Sequence, residues 1–209
     1  MKQITIIDYG SGNVLSAQKS FIKVSNLNKI SSKVIISNNI DDIKSSTHVV
    51  LPGQGAFATC MNGVKKKPGL IDELYEFAIV KKKPFLGICV GMQMLATDSE
   101  ENGTHLGLGW IEGHIKPLPY KNLKMPHMGW NLVRPIGENT NNLIGDTKDF
   151  YFVHSYHFEC VNRENILAET QYGINFTSIV GKENIYGVQF HPEKSSSQGL
   201  NLIKQFIKK

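Results

Sequence analysis

The residue with the clearest chemical potential is Cys89, set in Gly87-Ile88-Cys89-Val90-Gly91. A buried-looking strand, Pro84 to Ile88, precedes it, and Met92-Gln93-Met94-Leu95, which can begin a helix, follows. Strand, sharp turn and helix with G-x-C-x-G at the turn have the form of a nucleophile elbow, with Cys in the place of Ser. The tip of such a turn holds a strained backbone conformation in which flanking side chains would collide, and the two glycines remove that conflict. A cysteine at a helix N-terminus also has its thiolate favoured by the helix dipole. The competing reading of the pentapeptide is a buried structural cysteine beside a Gly-rich turn. Cys60 and Cys160 lack such a setting and read as structural.

A nucleophilic thiol needs a base, and the base needs a group that holds its tautomer and stabilises its imidazolium form. Tyr186-Gly187-Val188-Gln189-Phe190 reads as a strand and runs into His191-Pro192-Glu193. If the extended conformation persists, residues two apart face the same way, which puts His191 and Glu193 on one side. Pro192 biases His191 away from helix and favours this presentation. His105 and His114 have no such neighbours and read as structural or surface groups. Acyl transfer also builds negative charge on the substrate oxygen. Pro52-Gly53-Gln54-Gly55-Ala56-Phe57 offers backbone N–H groups on a Gly-permissive loop, after a strand from His48 to Leu51. The C-terminal ends of parallel strands are where open α/β sheets place their sites.

The elements that must carry these groups alternate in the first half of the chain. Strands read at Gln3 to Ile7, Val34 to Ile36, His48 to Leu51 and Pro84 to Ile88. Helical spacing follows Asn13 to about Val24 and runs from Leu70 to Val80. This order predicts an α/β fold with a central, largely parallel sheet covered by helices. From Gly107 to Gly187, Gly and Pro punctuate short segments at His114 to Lys116, Asn131 to Val133, Phe150 to Val153 and Phe176 to Val180. These predict added, mostly antiparallel strands and so a mixed sheet. Leu200, Ile203 and Ile207 share one face of a C-terminal helix from Ser196. No repeat or linker divides residues 1–209, so one domain is expected.

Composition narrows the function classes. Of 209 residues, 41% are hydrophobic and 20% charged, ordinary globular usage rather than the profile of disorder. No apolar run approaches the roughly 20 residues of a membrane span. The N-terminus enters a strand directly, with no signal-like apolar stretch, so a cytoplasmic protein is expected. Three cysteines without CxxC spacing signal neither disulfides nor zinc. No P-loop and no dinucleotide fingerprint is present, so no metal or cofactor is expected. The net charge of +5 is carried almost entirely by lysine, with Arg134 and Arg163 the sole arginines. Base and phosphate readout favours arginine, so nucleic acid is not the expected partner, whereas an acidic protein surface is allowed.

Taken together, Pro52 to Phe57, Gly87 to Leu95 and Gly187 to Ser196 resemble the class I (triad) glutamine amidotransferases, whose fold is flavodoxin-like. Three further blocks look like the glutaminase subunits of imidazole glycerol phosphate synthases: Ile7 to Asn13, Pro126-His127-Met128-Gly129-Trp130-Asn131, and Tyr151 to His157. The resemblance implies glutamine hydrolysis through a cysteinyl thioester, with ammonia channelled to a (β/α)8 cyclase subunit as heterodimer partner in histidine biosynthesis. It implies Cys89 as nucleophile and His191 as proton shuttle, oriented by Glu193. It further implies an oxyanion hole from Val90 and the Gly53-Gln54 peptide. Glutamine would be held by Gly55, Gln93, Glu101 and His154-Ser155-Tyr156, and the partner would be met by Asn13, Tyr151 and Lys194. Family members usually carry an aliphatic residue at the position of Gln54, where the peptide is thought to reorient when the partner is loaded. A paralogue supplying ammonia for sugar amidination and a stand-alone γ-glutamyl cysteine hydrolase are the alternatives.

Overall fold

The computed structural model describes residues 1–119, 123–136 and 143–209. Its first half consists of β1 (Lys2–Ile7), α1 (Val14–Leu27), β2 (Ser32–Ser37), α2 (Ile40–Ser45), β3 (His48–Gly53), α3 (Phe57–Lys65), α4 (Leu70–Tyr75), β4 (Phe85–Cys89) and α5 (Val90–Gln93). The strands β2, β1, β3 and β4 lie side by side and parallel, and β13 (Ile185–Val188) joins them on the far side of β4. Strands covered on both faces must be predominantly apolar. Ile4, Ile6, Val49, Val50, Leu51, Phe85 and Leu86 are accordingly fully buried. The terminal helix α6 (Ser196–Ile207) buries Leu202, Ile203, Phe206 and Ile207, and the Phe206 ring meets Phe21 of α1 edge-on at 6.2 Å. Each such buried ring contributes on the order of 2 kcal/mol in removal from water.

Beyond β13 the sheet turns mostly antiparallel, the parallel pairing of β5 (Asp98–Ser99) with β7 (Gly113–Pro117) being the exception. It continues through β12 (Ile174–Lys182), β10 (Tyr156–Cys160) and β7, and then the short β5 and β6 (His105–Leu106). β11 (Ile166–Tyr172) pairs with β12 and also with β8 (His127–Pro135). The β8 strand in turn pairs with β9 (Lys148–His154), placing Trp130 opposite Tyr151. The architecture is the mixed α/β sheet flanked by helices that the strand and helix order predicts.

Three local expectations are corrected. The stretch from Leu70 to Val80 is not one α-helix, because α4 passes into a π-helical turn at Glu76–Val80. The last parallel strand stops at Val188 rather than Phe190. Extended geometry does not persist through Glu193: His191 is extended, with φ −101° and ψ 97°, but Pro192–Lys194 forms a 3-10 turn. Proline fixes a φ that suits the first helical position as well as an extended segment, and here it opens the turn.

Candidate active site

Register brings the reactive groups to one edge of the sheet. Gly53 at the end of β3 sits opposite Cys89 at the end of β4, and Val188 of β13 sits opposite Ile88. All three chain exits are therefore at the carboxyl ends of adjacent parallel strands, the location expected of a site in an open α/β sheet. Cys89 occupies the tip of the turn with φ +56°, a region that L-residues seldom enter, and it is buried at 4% exposure. The elbow glycines are required by packing. A Cβ on Gly91 would stand 1.8 Å from the Leu51 carbonyl oxygen, and one on Gly87 would stand 2.4 Å from the Gly91 carbonyl oxygen. The helix after the nucleophile has just four residues. Its macrodipole is correspondingly small, so the helix end contributes less to the site's electrostatics than the sequence suggests.

His191 and Glu193 meet through the turn instead of along a strand. His191 Nδ1–H donates to Glu193 Oε1 at 2.8 Å, with both side chains at 5% exposure or less. That bond fixes the tautomer and leaves Nε2 on the other side of the ring. Nε2 is buried and makes no hydrogen bond among the described residues, as is true of Glu193 Oε2. Burial by itself would lower the His191 pKa. The nearby Cys89 sulfur, together with the hydrogen bond and charge of Glu193, outweighs it, and the pKa is raised to about 10. The arrangement thus favours an imidazolium held between a carboxylate and a sulfur.

Cys89 and His191 open onto a cavity of about 240 Å³ lined by Gln54, Gly55, Val90, Gln93, Glu101, His154, Ser155 and Tyr156, with Pro126 and Val153 at its margin. The expected site residues around Cys89 are thus brought together. Gly53 lies beneath them, packed against Val90 and Gly91. Glu101 Oε2 accepts the Phe57 N–H at 2.7 Å, which ties the far wall of the cavity to the start of α3. The Gln54 carbonyl accepts the Ser11 hydroxyl at 2.6 Å and the Cys60 thiol at 3.5 Å, so Cys60 anchors the loop beside the site. Asn13 does not line the cavity. Its side chain caps α1 by accepting the Ser16 N–H at 3.3 Å. Lys194 is exposed on the turn after His191, and its N–H donates to the His191 carbonyl at 3.0 Å.

The family model for class-I glutamine amidotransferases matches residues 5–209. This chain belongs to the class-I glutamine amidotransferase family. Among curated relatives, the imidazole glycerol phosphate synthase subunit HisH of Rhodospirillum rubrum is 41% identical over 99% of this chain and 98% of its own. The HisH subunits of Zymomonas mobilis and Pelagibacter ubique are each 42% identical over 98% of this chain, and over 94% and 98% of their own lengths. Two crystal structures share the fold at low identity. One glutamine amidotransferase has a TM-score of 0.72 at 16% identity over 98% of this chain and 97% of its own. Another, from Thermotoga maritima, has 0.62 at 18% over 99% and 83%.

The structure of this amidotransferase also brings forward two residues with no role assigned from the sequence, His127 behind the expected His154, and Gln189. His154, on the cavity wall, donates from Nδ1 to the Tyr156 carbonyl at 2.8 Å. Burial, foremost, depresses its pKa to about 3, so the ring is neutral and Nε2 must accept. The donor to it is His127 Nδ1, at 2.9 Å, and His127 Nε2 in turn accepts from the Asn131 amide at 3.1 Å. His127 is likewise neutral, its pKa lowered to about 4 by burial. Gln189, buried behind Cys89 and Gln93, is the other addition. Its signal in the sequence was a polar residue two positions before His191 in an otherwise apolar strand.

Proposed function

We propose that this chain is the glutaminase subunit of an imidazole glycerol phosphate synthase, releasing ammonia from glutamine for a (β/α)8 cyclase subunit in histidine biosynthesis. The observation that carries the chemistry is the buried Cys89–His191–Glu193 constellation opening on a cavity with polar walls. Similarity to HisH subunits over nearly the whole chain supports the pathway and the partner.

In this reading the Cys89 thiolate attacks the side-chain amide carbon of glutamine. The new C–S bond pushes charge onto the amide oxygen, which the N–H of Val90 and the Gly53-Gln54 peptide stabilise. Val90 opens α5, so its N–H has no partner within the helix. His191 Nε2–H protonates the departing nitrogen, ammonia leaves, and a thioester remains. Nε2, now free, takes a proton from water as the water attacks, and glutamate is released with the thiolate restored. Glu193 holds the ring in the required tautomer throughout. Both hydrogens of the Gln93 amide are engaged, by the Tyr156 carbonyl and by Gln189, which leaves its oxygen toward the cavity. Glu101 likewise keeps one carboxylate oxygen beyond the one bonded to Phe57. Two acceptors suit the α-ammonium of glutamine, while Gly55 and the His154-Ser155-Tyr156 segment face its carboxylate. Asn13, Tyr151 and Lys194 lie toward the partner.

The test pairs two activities. Cys89→Ala abolishes glutamine-dependent turnover of the assembled synthase and leaves its reaction with free ammonia intact. Retained glutaminase activity would remove Cys89 from its role. A native subunit hydrolysing glutamine equally fast with and without the cyclase and its nucleotide ligand would favour a stand-alone hydrolase.

A further inference from the structure

Gln189 is fully buried beneath the cavity, with its side-chain amide between two residues of the proposed site. Its Nε2 lies 3.8 Å from Cys89 Sγ, and its Oε1 is 3.1 Å from Gln93 Nε2. Gln93 Nε2 is also 3.2 Å from the Tyr156 carbonyl oxygen. This sequence of contacts has one polarity. A carbonyl oxygen accepts and never donates, so the Gln93 atom facing Tyr156 is its nitrogen. That nitrogen donates onward, so the Gln189 atom facing it is oxygen, and the Gln189 atom facing sulfur is therefore an N–H donor. The Tyr156 carbonyl, which sets the direction, is held from its other side by His154 Nδ1.

We propose that Gln189 is a further catalytic residue, whose amide N–H donates to the Cys89 thiolate, stabilising it and fixing its aim into the cavity. A donor to the ionised sulfur favours thiolate over thiol, because the neutral thiol is a much poorer acceptor. The contact weakens as the sulfur electrons form the C–S bond to the substrate. It returns when water cleaves the thioester and the sulfur departs as thiolate, so it also eases the second half of the reaction. The titratable groups around the sulfur are His191, with Glu193 behind it, Tyr9 just after β1, and Glu101 and His154 across the cavity, and the Val153 carbonyl oxygen lies 3.9 Å from Sγ. None of these is changed by substitution at Gln189. The inference rests on Cys89 being the nucleophile, and its test reads the sulfur without turnover, so the two can fail separately.

The probe is iodoacetamide, with the Cys89 adduct of the full-length subunit quantified by mass spectrometry from pH 5 to pH 10. Gln189→Met keeps the volume and removes the donor. At the low-pH end, alkylation of Cys89 slows roughly three- to ten-fold relative to the native chain, and the rates converge at high pH where any thiol is ionised. Gln189→Glu, which keeps the shape and offers sulfur an acceptor, slows it further. Gln93→Met, which frees the Gln189 amide to rotate, gives a smaller loss of the same form and serves if the Gln189 variants do not fold. Profiles superimposing on the native one would overturn the proposal. So would a loss of equal size at every pH, which would mark a packing role alone.

Discussion

The backbone N–H of His191 donates to the carbonyl of Tyr151 at 2.9 Å, so β9 holds the proposed base directly. The attachment is doubled through Ser195, whose hydroxyl donates to the His191 carbonyl at 2.6 Å while accepting the Tyr151 N–H at 3.0 Å. On the outer side, the Tyr151 ring lies edge-on to Trp130 at 6.1 Å. Trp130 is 54% exposed, with Met128 and Leu132 on the same face of β8 at 62% and 40%. One strand thus stands between an exposed apolar face and the proposed base.

That placement sets the first prediction. An exposed tryptophan flanked by apolar residues has the character of an interface anchor. Trp130→Ala weakens binding of the cyclase subunit by roughly 2 kcal/mol, about thirty-fold in Kd, by calorimetry. It leaves the glutaminase rate of the isolated subunit unchanged. Unaltered affinity would place the partner on another face.

The pH dependence follows from the pair at the site. The His191 pKa, raised to about 10 in the folded chain, exceeds the ordinary value near 6.5. The stabilisation from protonating His191 is therefore complete below about pH 6.5 and is lost as pH rises through about 10. Glu193→Gln removes part of the cause. Its deficit against the native chain is greatest near pH 6, on the order of 1–2 kcal/mol, and shrinks toward pH 10, by thermal unfolding at several pH values. A deficit that grows with pH would contradict the imidazolium assignment.

The elbow gives a stability prediction. With the Leu51 oxygen 1.8 Å from where a Gly91 Cβ would stand, Gly91→Ala must push β3 away from β4 or reshape the turn. The cost is about 4 kcal/mol or more, measured by urea unfolding. A change under about 1 kcal/mol would show that the turn yields easily.

The parallel core was legible in the sequence because strands buried on both faces must be predominantly apolar, as Ile4 to Ile7 and His48 to Leu51 are apart from Thr5 and His48. Cys89 was legible because its turn needs two glycines. The 3-10 turn at Pro192 was hidden, since proline suits both geometries. His127 and Gln189 were hidden for another reason: they act through contacts across strands 27 and 100 residues distant in the chain, from His127 to His154 and from Gln189 to Cys89. A buried polar residue gives no local sign of which partner it will meet.

His127 supplies the last prediction. Its ring stacks on Tyr172 at 4.1 Å between centroids and lies 4.9 Å from Phe152, so His127→Phe preserves shape and stacking. What disappears is the donor to His154 Nε2 and the acceptor for Asn131. His154 lines the cavity proposed for glutamine and holds the Tyr156 carbonyl, so a loosened ring weakens substrate binding before it affects chemistry. The KM for glutamine rises roughly three- to ten-fold with kcat little changed, and the ammonia-dependent rate stays at its native level. His127→Asn, which keeps a donor near the Nδ1 position, recovers most of the loss. Because both rings titrate near or below pH 4, their contribution to KM is flat from pH 6 to 9. A fall in kcat at unchanged KM would instead place His127 in support of the nucleophile or base.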